Sequence, residues 1–148
     1  MPEKETLERA EQDMREGKSP STQAGEFVRE EIEHIREGKH GARSAKQAIA
    51  IGLSKARRAG VELPPPEKGS ASKHTRKQAA RDIRKGKSAS KGKKSAKRSR
   101  ATSEALKREG RSAASKTALS RHARKAAAKR SAASRSRSAK KAAATRKK

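Results

Sequence analysis

Apolar residues recur at helical spacing in only two stretches of this 148-residue chain. Between 20 and 37, Ala24, Phe27, Val28, Ile32 and Ile35 fall on one broad side of a helix. Between 44 and 59, Ala45, Ile49, Gly52, Leu53 and Ala56 form a stripe, and Ile51 points elsewhere. A helix at 4–16 adds a thin third stripe of Leu7, Ala10 and Met14. The short connection from Gly38 to Arg43 predicts an antiparallel or angled helix pair. Phe27, Val28, Ile32, Ile35, Ile49 and Leu53 are the expected core. A core this small is marginal without staples or oligomerisation. Ile51 and the outer face of Phe27 are therefore the expected surface of a homodimer formed through 20–59.

Punctuation supports further helices at about 75–85, 103–109 and 113–132. The pattern apolar-Arg-(Glu/Lys)-Gly-Lys occurs at Met14–Lys18, Ile35–Lys39 and Ile83–Lys87, with a variant at Lys107–Arg111. Each predicts a helix ending with Gly in the left-handed conformation, at Gly17, Gly38, Gly86 and Gly110. Ser19-Pro20 reads as an N-cap followed by proline in the first turn. Ser44–Gln47 and Thr75–Gln78 both fit the Ser/Thr-x-x-Gln capping box. Thr102 or Ser103 is the expected cap of the helix ending at Glu109. Pro64-Pro65-Pro66 predicts a stiff extended spacer. Residues 86–101 read as a linker and 134–148 as a tail.

Charge divides the chain at that spacer. Residues 1–66 hold 12 Lys+Arg and 12 Asp+Glu, whereas 67–148 hold 30 Lys+Arg and 4 Asp+Glu. The second half therefore carries the entire formal charge of +26. With one Phe and no Tyr or Trp, large apolar residues are too few to offset ordering entropy over the whole length. The expected fold is thus mostly α: a small helical hairpin or three-helix unit, then a largely disordered Lys/Arg/Ala/Ser-rich arm with short latent helices. The expected divisions are a helical segment at 1–63 with its core at 20–59, a Pro-rich linker at 64–72, and a basic arm at 73–148.

Such an arm requires a polyanionic partner, and nucleic acid is the commonest. Lys and Arg neutralise phosphates and release counterions. The expected contacts are Lys73, Arg76, Lys77, Arg81, Arg84, Lys85, Lys87, Lys91, Lys93, Lys94, Lys97, Arg98 and Arg100. Arg111, Lys116, Arg121, Arg124, Lys125, Lys129, Arg130, Arg135, Arg137, Lys140 and Lys141 complete the set. The arm lacks aromatic residues to stack on bases, which favours duplex DNA, with RNA possible. A helix-turn-helix with 44–59 as reading helix fits poorly, because Ile49-Ala50-Ile51-Gly52-Leu53 offers bases little polarity. Lys46, Gln47, Lys55, Arg57 and Arg58 are candidate phosphate contacts there.

Other chemistry is weakly signalled. His34, His40, His74 and His122 show no metal-ligand spacing, and Glu30–His34 reads as a surface pair. Gly38-Lys39-His40-Gly41 lacks the spacing of a phosphate loop. No nucleophile–base arrangement or acidic pair suggests an enzyme. The expectation is no catalysis, no cofactor and no metal. Cysteine is absent, so disulfides and thiolate zinc sites are excluded. No run suits a signal peptide or membrane span, so no membrane partner and a cytoplasmic location are expected. Serines beside arginines, as in Ser134–Ser138, read as small flexible spacers rather than phosphorylation sites.

The stretch Glu26–Gly41, followed by Ser44-Ala45-Lys46-Gln47-Ala48-Ile49-Ala50-Ile51-Gly52-Leu53-Ser54, resembles a family of small basic bacterial proteins of unknown function. The resemblance covers about residues 20–60 closely and carries no established activity. Residues 88–148 are similar in composition to the basic tails of linker histones and histone-like bacterial proteins. Together these resemblances imply a bacterial, nucleoid-associated protein that coats or compacts DNA without sequence specificity. The competing expectations are an RNA- or ribosome-associated protein and an adaptor that binds a protein partner through 20–59.

Overall fold

Serine sets where most of the helices begin. Ser19, Ser44, Ser72, Ser95 and Ser115 each accept a hydrogen bond from the backbone N–H three residues on, and Ser131 does the same for Ser134. Each such cap satisfies a donor the helix cannot, worth about 1 kcal/mol. In the computed structural model, which describes residues 1–88, 92 and 94–146, the caps delimit an all-helical chain. Its elements are α1 (Lys4–Arg15), α2 (Pro20–Glu37), α3 (Ala45–Ala59), α4 (Lys73–Lys87), α5 (Ala96–Arg108), a 3₁₀ turn (Ser112–Ala114), α6 (Lys116–Ala128) and α7 (Ala132–Arg146).

The first three helices follow the hydrophobic pattern. α2 packs on both α1 and α3. Its apolar face feeds two clusters. Ile32 and Ile35 join Ala42, Ala48, Ala113 and Ala114, with Val28 and Leu119 packed against them. Phe27 and Ala24 join Ala10 and Ala56, with Leu53, Val61 and Leu63 alongside. The two expectations for Phe27 therefore separate: it is a core residue, and with 1% exposure it has no outer face for self-association. Ile49 is only half-buried and lies outside both clusters. On α1 only Ala10 of the expected stripe is buried, and Leu7 and Met14 face solvent. α2 and α3 cross closely at Gly52, where a Cβ would lie 2.6 Å from the Val28 Cα.

The expectation of a largely disordered arm is corrected. Helices occupy most of the described residues beyond the proline spacer, including parts of the expected linker and tail. α4 packs on α3, and the 3₁₀ turn packs on α2, α3 and α6. Two substitutes for large apolar residues account for this packing. Ala79, Ala113 and Ala114 are buried, and a small side chain allows close backbone approach with no rotamer entropy to lose. Asp82, fully buried, supplies a polar anchor.

Boundaries shift for the same reason. α4 is capped by Ser72 rather than Thr75, so the second expected capping box lies inside the helix. α5 starts at Ala96 under Ser95, ahead of Thr102 and Ser103. The helix expected at 113–132 divides at Ser115 and again before Ala132. Gly17 and Gly38 adopt the left-handed conformation as expected, with φ of 71° and 79°. Gly86 and Gly110 do not. Gly86 lies within α4, where a Cβ would overlap the Arg57 carbonyl oxygen, so it serves the close approach of α4 to α3.

Glycines on α2 and α3 give a test with opposite signs. Gly52→Ala is expected to destabilise the chain by about 1–3 kcal/mol through overpacking against Val28. Gly25, in helical α2 with open space around its Cα, is expected to gain about 0.5–1 kcal/mol on substitution by Ala. Urea denaturation followed by far-UV circular dichroism measures both.

Candidate nucleic-acid interface and the polar network behind it

Asp82 is the point where α4 attaches to α3. Its Oδ2 accepts from Ser54 Oγ at 2.6 Å, and its Oδ1 accepts from Arg58 Nε at 2.8 Å and Gln78 Nε2 at 3.1 Å. Ala79, Asp82 and Gly86 thereby face α3, on one side of α4. Lys73, Lys77, Arg81, Arg84, Lys85 and Lys87 are left on its exposed surface. Lys73, Lys77, Arg81 and Lys85 form a row with one cation about every 6 Å, the rise of four helical residues. Arg76 is half-buried and donates to the Pro66 carbonyl at 3.2 Å, so it braces the spacer.

The remaining expected contacts are exposed in the described residues. Lys94 precedes α5, and Lys97, Arg98 and Arg100 lie on it. Arg111 flanks the 3₁₀ turn, and Lys116, Arg121, Arg124 and Lys125 lie on α6. Lys129 and Arg130 follow α6, and Arg135, Arg137, Lys140 and Lys141 lie on α7. Arg130 is engaged by Ser134 and Ser138. Lys91 and Lys93 lie outside the described residues. Among the described residues, Lys87 with Glu62, at 3.4 Å, is the only ion pair made by a cation of α4–α7.

α3 presents a different surface from the one a reading helix needs. Lys55 is held by Glu30 and Glu31, and Arg58 by Asp82. Arg57 is buried and donates to the carbonyls of Leu63 and Pro64. The Gln47 side chain accepts from the Arg43 N–H. Of the five candidate contacts on α3, only Lys46 is exposed without a structural task among these bonds.

Behind α2 lies a carboxylate network that sequence reasoning missed. Glu30 and Glu31, both essentially buried, flank Lys55 Nζ at 3.1 and 2.7 Å. The Glu31 Oε2 contact is an ion pair whose angle departs from hydrogen-bond geometry. Glu30 also accepts from the Glu3 N–H at 3.0 Å. Burial pushes the Glu30 carboxyl upward, but bonds from the Glu3 N–H, Thr6 and Lys55 outweigh it and hold the group below its ordinary range. Burial likewise pulls the Lys55 ammonium down, and Glu31 and Glu30 reverse that and raise it. The expected Glu30–His34 surface pair gives way to His34 Nε2 on Glu3 Oε1 at 2.8 Å. His40 Nε2 meets Glu31 Oε1 at 3.0 Å. The long-range partners, 24 to 36 residues apart, left no periodic signal to read.

Residues 4–68 match the model of a family of unknown function (DUF6496). That stretch comprises α1–α3 and the extended segment after them, and α4–α7 lie beyond it. The resemblance to an uncharacterised family thus has support over the neutral half. No curated protein and no solved structure matches the chain. Among the described residues, no helix is long and apolar enough to cross a membrane.

Two stability effects follow from these buried charges. Asp82→Ala leaves Arg58, Ser54 and Gln78 without their shared acceptor and is expected to cost about 3 kcal/mol, measured by urea denaturation. Glu30, depressed in the folded state, contributes stability that is present above the ordinary carboxylate range and is lost as pH falls through its folded value. Lys55, raised when folded, contributes below its ordinary value and loses that contribution as pH rises through its folded one. Lys55→Met is therefore expected to flatten the alkaline end of the pH–stability profile and to weaken its acid slope only in part, since the Glu3 N–H and Thr6 still hold Glu30, as read from melting temperature between pH 3 and 11.

Proposed function

We propose that the chain binds nucleic acid through the exposed cations of α4–α7, without sequence specificity and with duplex DNA as the preferred form. The observation that carries this reading is the near absence of carboxylate partners for those cations. Their charge is solvated and unneutralised, and phosphates would satisfy it with counterion release. From Arg111 to the end there are 14 Lys and Arg and no acidic residue, far more than solubility requires. Helical order favours a duplex, because rows of cations on rigid faces meet a regular array of phosphates. Phe27, the sole aromatic among Phe, Tyr and Trp, is buried, so stacking on unpaired bases is unsupported. With the resemblance to small basic bacterial proteins, this reading makes the chain a histone-like, nucleoid-associated protein of the cytoplasm.

Binding of this kind is strongly salt-dependent. Log K against log salt is expected to fall by about 0.9 per phosphate neutralised on duplex DNA. Replacing Lys77, Arg81, Arg84 and Lys85 together by Gln is expected to make the slope shallower by about 0.9 for each phosphate that is then left unneutralised, at unchanged helicity. Gel-shift titrations from 50 to 200 mM salt on unrelated duplexes, with structured RNA as competitor, measure this. Affinity indifferent to salt would contradict the reading, and preferential displacement by RNA would replace DNA with RNA as the partner.

A further inference from the structure

His40 and the buried Glu31 face each other inside the carboxylate network. His40 Nδ1 lies 3.0 Å from the carbonyl oxygen of Gly41. A carbonyl only accepts, so Nδ1 carries the proton and donates. In a neutral ring that leaves the lone pair on Nε2, and Nε2 faces Glu31 Oε1 at 3.0 Å. At that distance the carboxylate needs a cation opposite it: a proton on Nε2, which makes the ring an imidazolium, or a metal ion in the proton's place.

His34 is anchored through one nitrogen. Its Nε2 is 2.8 Å from Glu3 Oε1, an obligate acceptor when ionised, so in a neutral ring the lone pair falls on Nδ1. The two rings meet edge to face with centroids 6.1 Å apart. One donor atom from each of Glu31, His34 and His40 lies within 4.8 Å of the others. We propose that Glu31, His34 and His40 are three protein ligands of a zinc-class divalent cation, with water completing a tetrahedron.

The donor set suits such an ion. Two imidazoles and a carboxylate are zinc ligands, and with bonds of about 2.0–2.2 Å their donor atoms sit about 3.3 Å apart. Glu31 Oε1 and His40 Nε2 need to open by only a few tenths of an ångström. Both rings already have the outer support that metal-bound histidines use, a carboxylate behind His34 and a backbone carbonyl behind His40. Lys55 stays on the other Glu31 oxygen, and Lys39 reaches Glu3 Oε1 at 3.1 Å. Glu3, Glu30 and Glu31 thus face two ammonium groups, which leaves one negative charge over in a chain that is otherwise strongly basic. His40 itself borders an open cleft of about 470 Å³, which Glu31 and His34 do not line.

Sequence spacing hid this site because its ligands come from two backbone states. Glu31 and His34 are one turn apart on α2, and His40 follows the left-handed Gly38. That turn carries the chain back beside the helix it has just left.

The test uses the full, untagged chain, stripped with chelator and titrated with Zn²⁺. Calorimetry is expected to show one equivalent bound. Histidine ring ¹H–¹⁵N spectra are expected to shift for His34 and His40 and to stay fixed for His74 and His122. His40→Ala is expected to weaken binding at least about tenfold, whereas His122→Ala leaves it unchanged, with far-UV circular dichroism confirming the fold. No stoichiometric binding, or shifts at His74 and His122 instead, would overturn the proposal. Should His40→Ala unfold the chain, the ring spectra of the unsubstituted protein decide the matter alone.

Discussion

Asp82 sits fully buried between α3 and α4 and gathers the Arg58 guanidinium, the Ser54 hydroxyl and the Gln78 amide. A carboxylate removed from water is costly unless its oxygens are satisfied, and here three donors satisfy them. The geometry orients α4: with Asp82 turned inward, its helical neighbours Lys77, Arg81, Arg84 and Lys85 turn outward. Gly86 then lets the end of α4 lie against the Arg57 carbonyl. One buried charge thereby determines which charges of α4 remain exposed.

The same economy explains the uneven charge of the chain. Acids of the first half are largely spent on cations of that half: Arg9 with Glu26, Lys18 with Asp13, Lys39 with Glu3 and Lys55 with Glu30 and Glu31. These pairs lock α1 to α2 and α2 to α3 in places where apolar area is scarce. Exposed pairs of this kind contribute little individually, but those around Lys55 involve buried carboxylates, and the one to Glu30 is hydrogen-bonded. Two of the second half's four acids serve attachment, Asp82 on α3 and Glu109 beside Arg43 at 3.6 Å. Its cations are left for a partner.

Much of the first half was legible because it uses signals with a short period. Phe27, Ile32 and Ile35 lie at helical spacing, Ser19-Pro20 opens α2, and Gly38 closes it with positive φ. The second half was misjudged because its packing relies on residues that carry no hydrophobic signature. Ala113 and Ala114 seal the base of α2, and Gly86 gives no hint in sequence that it is a contact rather than a stop. Gly110 and Leu106 offer carbonyls to the N–H groups of Ala42 and Gly41, a tie that resides wholly in the backbone. Ser95, in the expected linker, and Ser131, inside the helix expected at 113–132, proved to be caps. The cationic faces were visible as composition, but their separation into an anchored side and a free side depends on Asp82, a single acid in a run of bases.

The direct measurement of that arrangement is residue-resolved amide hydrogen exchange on the full chain at low salt, without nucleic acid. Amides around 79–86 in α4 should be protected to the same degree as those around 48–56 in α3, since α4 is docked through Asp82 and Gly86 before any phosphate arrives. Exchange of α4 at free-peptide rates beside a protected α3 would contradict it, and the basic half would then owe its order to a partner.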